Sequence, residues 1–258
     1  MAPDTAARQR IDETSRPAAV PLEARGISHQ YSNGGRVEPV LYNVDLVLQK
    51  GTFTAIMGPS GSGKSTLLNI VAGLEQPTAG EVLIGGVSTT GLSDDQLTDL
   101  RRDRIGFVFQ ASILLPELRV RQNTELPARL ARQPLPTTRI QAVTAELGIG
   151  DHLDALPATL SGGQAQRVAA ARAIVQQPAV IVADEPTGAL DVHTGATLLS
   201  IMRRAVDHEG QTVLMVTHDP AAAARADRVI LLVDGKIIDE LAQPSREVLA
   251  DRLAHQGR

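Results

Sequence analysis

Apolar residues along this chain fall in short runs bounded by glycine, proline or charge, with longer amphipathic stretches between them. Residues 41–48 and 52–57 predict two strands flanking the break at Gln49, Lys50 and Gly51, and the second runs straight into a glycine-rich segment. Residues 64–71 then read as a helix that stops near Gly73, and 81–84 as a short strand before a hairpin turn at Gly85 and Gly86. Ser93 with Gln96 three positions on is a capping box, so a helix is predicted from there to about Arg102, followed by a buried strand over 105–109.

Farther on, 165–176, 193–207 and 220–226 read as helices, and 180–183, 212–217 and 229–233 as apolar strands. Asp234 and Gly235 turn the last of these into a partner over 236–238, and 245–254 predicts a terminal helix. Strands alternating with helices predict an α/β fold, a mostly parallel sheet covered on both faces. The stretch 112–159 has a different texture, with Pro116, Pro127, Pro134, Pro136 and Pro157 separating helical pieces. One piece, capped by Thr138 with Gln141, stops at Gly148. This is a helical subdomain of about 112–165, inserted into a single domain over 21–258. Residues 1–20 lack periodicity and read as a disordered leader.

Composition narrows the function. Hydrophobic residues make up 43% of the chain, enough for a large core. A net charge of −4 and 2% aromatic residues argue against nucleic acid, which asks for a basic stripe or stacking platforms. Cysteine is absent, excluding disulfides, thiol catalysis and cysteine metal sites. The apolar run 229–233 is far short of the roughly 20 residues of a membrane span, and the N-terminus has no apolar core like that of a secretory signal. Work at a membrane would need a spanning partner on another chain.

The glycine-rich segment carries the chemistry. Gly58, Pro59, Ser60, Gly61, Ser62, Gly63, Lys64, Ser65 and Thr66 fit the P-loop pattern, behind a strand and ahead of a helix as the pattern requires. Glycines let backbone N–H groups approach phosphate oxygens, and the helix adds its positive end. Lys64 is expected to neutralise the β- and γ-phosphates, and the Ser65 hydroxyl to hold Mg²⁺. Asp184 and Glu185 end an apolar strand, where carboxylates face the ligand crevice of an α/β sheet. Asp184 is expected to orient Mg²⁺, and Glu185 to position or deprotonate the attacking water.

Ser161, Gly162, Gly163 and Gln164 form a second glycine turn. It is at least a capping box, and its two glycines expose backbone N–H groups as a second anion site. Gln110 and His218 each follow a strand, where a neutral amide suits a Mg²⁺ or water sensor and an imidazole can reach the γ-phosphate. Tyr31, one of two tyrosines, could stack on adenine or simply pack.

These motifs, in the order Gly58–Ser65, Gln110, Leu160–Gln164, Asp184, Glu185, Asp191 and His218, resemble the nucleotide-binding subunit of an ABC transporter over nearly all of residues 22–243. The resemblance implies an added N-terminal antiparallel β subdomain and a dimer sandwiching two ATP molecules with Mg²⁺. It implies that Tyr31 stacks on adenine, Gln110 senses Mg²⁺-ATP, and Ser161–Gln164 contact the γ-phosphate held by the other subunit. Asp191 would lie at the dimer seam and His218 would contact the γ-phosphate.

Leu68–Leu74, Pro77–Gly80, Arg104–Gln110, Leu114–Pro116, Asn123 and Asp184–Asp191 are similar to macrolide-exporter and lipoprotein-releasing ATPases. Ala165, Ile113 and Arg119 depart from that branch. The expected protein is a peripheral ATPase on the cytoplasmic face of the membrane. It would drive a separate membrane subunit, for export, for lipoprotein extraction, or for switching an extracytoplasmic enzyme without cargo. Leu114, Leu115 and Pro116 are candidates for the contact with that subunit, with core packing as the alternative. A chromosome-type ATPase head would need a long coiled coil between P-loop and glycine turn, but about a hundred residues without heptads separate them.

Overall fold

A computed structural model describes residues 20–256; the expected leader over 1–20 lies, but for Val20, outside them. Two sheets organise the chain. A four-stranded antiparallel sheet has the order β2-β1-β4-β5, from β1 (Leu22–Asn33), β2 (Arg36–Leu48), β4 (Ala79–Ile84) and β5 (Val87–Ser88). A six-stranded sheet has the order β10-β9-β3-β8-β7-β6. Its strands are β3 (Phe53–Met57), β6 (Ile105–Val108), β7 (Val180–Asp184), β8 (Val213–Val216), β9 (Arg228–Val233) and β10 (Lys236–Ala242). All pair in parallel except β10, which returns antiparallel along β9.

The parallel strands are apolar throughout because both faces are covered. Their period-2 alternation feeds two cores. Phe53, Ala55, Met57, Ile181, Ala183, Val213 and Met215 enter one. Ile56, Val180, Val182, Leu214 and Val216 enter the other. The first core is closed by α5 (Gly162–Ile174) and α6 (Val192–Glu209) with the helices α3 (Val120–Leu130) and α4 (Thr137–Glu146). The second is closed by α1 (Lys64–Val71) and the antiparallel sheet, with Leu100 of α2 (Asp94–Arg104). The short α7 (Pro220–Ala223) and α8 (Arg246–Gln256) complete the chain.

Local chemistry places most boundaries. Ser93 and Gln96 make the expected capping box on α2. Gly73 and Gly148 adopt positive φ where the helices before them end. One capping expectation is corrected: α4 starts at Thr137 after Pro136, with no side-chain cap. Proline's fixed φ begins the turn there, leaving Thr138 inside it. The long strand β1 is absent from the periodicity reading. Its register against β2 shifts three times between Ala24 and Gln30, and such irregularities scramble alternation.

Candidate functional site

The P-loop leaves β3 at its carboxyl end and is wedged between β9 and β2. A Cβ on Gly58 would lie 1.9 Å from the Leu232 carbonyl oxygen, so the backbone passes closer than any side chain permits. Gly61 and Gly63 hold φ of +78° and +94°, which aims successive N–H groups inward. Ser62 is buried, and its Oγ has no hydrogen-bond partner among the described residues. Pro59, Ser60 and Ser65 are exposed along the loop. The Lys64 ammonium is buried inside it, donating to the Gly58 and Pro59 carbonyls at 2.9 and 2.8 Å. Burial lowers its pKa, against the pull of Glu185 and Asp184. Tyr31 reaches this corner from β1: its hydroxyl lies 3.3 Å from Thr66 Oγ1 and donates to Glu75 Oε2 at 3.1 Å, and the residue stays 41% exposed.

Asp184 ends β7, and its Oδ1 is buried with no partner among the described residues. Burial raises its carboxyl above the usual range, reinforced by the negative Glu185 and opposed by Lys64. A cation would relieve that arrangement. The Asp184 carboxylate is an oxygen donor of the kind hard Mg²⁺ takes, as the Ser65 hydroxyl and Gln110 amide expected from sequence would be. No cluster of three His, Cys, Asp or Glu among the described residues makes a metal site on its own.

Glu185 sits at φ +43°, a strained conformation for a side chain this long. Its carboxylate is held from β8: Thr217 Oγ1 donates to Oε2 at 3.1 Å and the His218 N–H to Oε1 at 3.0 Å. His218 Nδ1 lies 2.7 Å from the same Oε1. Gln110 rests against this segment, its Nε2 only 2.9 Å from where a Cβ on Gly188 would stand. The structure thus gathers Glu185, His218 and Gln110, expected from sequence, and adds Thr217.

The second glycine turn opens α5. Ser161 Oγ accepts from the Gln164 N–H at 3.2 Å, and Gln164 Oε1 accepts from the Ser161 N–H at 2.8 Å, the expected capping box. Ser161, Gly162 and Gly163 line a polar cavity of about 460 Å³ with Arg167, Asp191 and Thr194. No residue of the P-loop lines it. The Asp191 carboxylate caps α6, accepting from the His193 and Thr194 N–H groups at 3.0 Å and from Thr194 Oγ1 at 2.6 Å. These bonds to Thr194, above all, hold it below the usual carboxylate range.

Gln166 is the positioning side chain that sequence reading missed. Fully buried on α5, it donates to the Phe109 carbonyl at 2.7 Å and the Pro186 carbonyl at 3.3 Å. Its signal was available: a lone polar residue on a face shared at helical spacing with Ala169, Ala170 and Ala173 must find a partner. Of the surface candidates, Leu114 packs against the core while Leu115 is exposed. Ile113, at φ +36°, is also exposed, and its carbonyl accepts from Arg172 Nη1 at 2.9 Å.

The ABC transporter family profile matches residues 41–188, more than half of the chain. The chain belongs to the ABC transporter family. The cassette is 43% identical over 226 residues to the lipoprotein-releasing system ATP-binding protein LolD of Anaeromyxobacter dehalogenans, covering 86% of this chain and 95% of that protein. It is 45% identical over 226 residues to the macrolide export ATP-binding/permease protein MacB of Rhodopseudomonas palustris, covering 86% of this chain but 34% of that protein. The cassette therefore spans about a third of the length of its MacB relatives. Among solved structures it superposes on the dimeric cassette MJ0796 bound to ADP and Pi, with a TM-score of 0.78 and 39% identity, covering 87% of this chain and 99% of that one. The cassette is an ATPase of the MacB and LolD type, with the family's antiparallel and parallel-rich sheets. No described helix is long and apolar enough to cross a membrane.

Proposed function

We propose that two copies of the cassette close on two ATP molecules, each held between the P-loop of one copy and residues Ser161–Gln164 of the other, and that closure and hydrolysis drive a separate membrane subunit. One observation carries this reading: the chain has two glycine turns at helix starts, and the cavity at the second is lined by no residue of the first. The 161–164 turn shares its cavity with Asp191 and with no P-loop residue, which supports a second chain supplying the P-loop that faces it. The related MJ0796 cassette, dimeric in a post-hydrolysis state with ADP and Pi, supports it.

In this reading Tyr31 stacks on the adenine, residues 58–66 hold the phosphates, and Lys64 exchanges its loop carbonyls for phosphate oxygens. Mg²⁺ at Ser65, Gln110 and Asp184 would neutralise charge on the β- and γ-phosphates. Glu185 takes a proton from water as its oxygen attacks the γ-phosphorus; the bond to the bridging oxygen breaks, and ADP leaves with that electron pair. His218 and Thr217 fix the carboxylate for this task. Asp191 holds the seam between copies by fixing the start of α6.

The membrane subunit docks on the apolar groove lined by Phe107, Phe109, Leu126, Pro127, Leu130 and Arg172. Leu130 is 62% exposed there, and Phe109, the residue before Gln110, lines the groove, so a helix seated in it would be coupled to Gln110 through the chain. The cassette then lies on the cytoplasmic face of the membrane, and its relatives' names point to export or lipoprotein release.

A Glu185→Gln variant tests the sandwich. With ATP it should bind nucleotide, turn over very slowly and elute as a dimer in size-exclusion chromatography. A variant that stays monomeric at saturating Mg²⁺-ATP overturns the reading. Lys64→Ala should instead weaken nucleotide binding itself.

A further inference from the structure

Behind the 161–164 turn stands a histidine that neither the catalytic chemistry nor the P-loop uses. His152 ends a short 3₁₀ turn (Gly150–His152) between α4 and α5, half-buried. Its Nε2 lies 2.9 Å from Gln164 Nε2. Hydrogen-bond logic decides the direction. The Ser161 backbone N–H is a fixed donor and meets Gln164 Oε1 at 2.8 Å. The other end of that amide is then NH₂, which can only donate. His152 Nε2 must accept, so the imidazole is neutral with its proton on Nδ1.

We propose that His152 is a positioning residue for the 161–164 turn: its neutral ring holds the Gln164 amide in the orientation that caps α5, and protonating the ring releases that cap. A protonated Nε2–H needs an acceptor, and Gln164 provides one only by turning its amide over. That turn would set NH₂ against the Ser161 N–H, two donors face to face, and half of the capping box would be lost. The other half, Ser161 Oγ to the Gln164 N–H, would remain. Ser161 and Gly162 would then lose the fixed backbone direction that an anion site at a helix start requires.

Charged groups on the elements adjoining this turn come from α3, α4, α5 and its own segment. Asp151 and Asp154 are on that segment. Arg119 and Arg121 sit at the start of α3, where Arg119 donates to the Asp154 carbonyl and the Arg121 N–H to the Leu153 carbonyl. Arg167 on α5 is committed to the Gly163 and Leu147 carbonyls, and Glu146 at the end of α4 pairs with Arg204. None of these interactions uses a His152 ring nitrogen, which leaves Gln164 as the group read by Nε2.

The functional consequence rests on the sandwich reading; the hydrogen-bond assignment does not. Ring-¹⁵N NMR of the full chain near neutral pH should report His152 protonated at Nδ1. On acidification, the Ser161 amide and Gln164 side-chain signals should move with the His152 titration. In His152→Gln, which keeps an acceptor but cannot titrate, that movement should vanish from Ser161. The acid-side loss of ATPase activity should be roughly fivefold larger in the native chain than in His152→Gln, the scale of losing one helix cap. Groups common to both proteins cancel in the comparison. An Nε2-protonated ring at neutral pH, or a Ser161 signal indifferent to His152, overturns the proposal. Intact coupling in a chain that never dimerises supports the His152 link and overturns the sandwich instead.

Discussion

The Gln166 amide on α5 donates to the carbonyl of Phe109, the residue immediately before Gln110, at 2.7 Å. Its second bond reaches the carbonyl of Pro186, the residue immediately after Glu185. One buried side chain thus joins the helix that begins at the 161–164 turn to the loops carrying the proposed Mg²⁺ sensor and the general base. Any motion of α5 against the sheet is felt at both.

Gln166→Leu removes both donors and leaves a buried and a part-buried carbonyl without them, a loss of about 1–3 kcal/mol. Urea unfolding should register it as a lower midpoint. Steady-state kinetics should show kcat falling more than KM rises, because the groups displaced are those that act on the reacting phosphate. Gln166→Glu should be worse, since a carboxylate would face two carbonyl oxygens. Native-like stability and turnover in both variants would remove Gln166 from the site.

Gly162 and Gly163 are predicted to differ sharply. A Cβ on Gly162 meets nothing within 4 Å, whereas one on Gly163 would sit 2.5 Å from Thr194 Cγ2. Gly163→Ala should therefore cost about 1–3 kcal/mol of stability, the usual penalty for overpacking, and Gly162→Ala much less. Thr194→Ser removes the offending methyl while keeping the hydroxyl that binds Asp191, so it should restore Gly163→Ala. Thermal denaturation of the two single variants and the double variant checks this.

Within the P-loop the contrast is between Gly58 and Gly61. Alanine at Gly61 has open space but must hold φ near +78°, a cost of about 1–2 kcal/mol. Alanine at Gly58 meets the Leu232 backbone at 1.9 Å and forces the loop off β9. Titration with a fluorescent ATP analogue should find moderately weakened binding for Gly61→Ala and none for Gly58→Ala. Equal affinities would contradict the close approach.

Asp184 makes the stability of the nucleotide-free protein depend on pH. Burial, with Glu185 beside it, raises its folded pKa above the unfolded value. Its stabilising contribution is therefore whole below the unfolded pKa and is lost as pH rises through the folded one. Asp184→Asn escapes that loss. Without nucleotide the variant should melt above the native protein at about pH 7, with the gap closing toward about pH 4. Mg²⁺-ATP should reverse the order, because the carboxylate brings a negative charge to the cation and the Asn amide does not.

Much of this was legible because the signals are local. The P-loop, the capping boxes at Ser93 and Ser161 and the carboxylates after β7 are each read from a few adjacent residues, whose backbone geometry is settled by neighbours in sequence. The apolar runs of β3, β7, β8 and β9 likewise announce strands buried on both faces.

Sequence alone therefore determined the P-loop pattern, the parallel strands with most of their helices, and the resemblance to the family. Tertiary structure decided which strand ends share one crevice, that Thr217 and His218 hold Glu185, that Leu114 turns inward, and that His152 reads Gln164. The physical reason is range. Gln166 and Phe109 are 57 positions apart, and Glu185 and Thr217 are 32 apart. Such pairs leave no periodicity to read, because they form only when two sheets and their helices pack and bring distant polar groups out of water together.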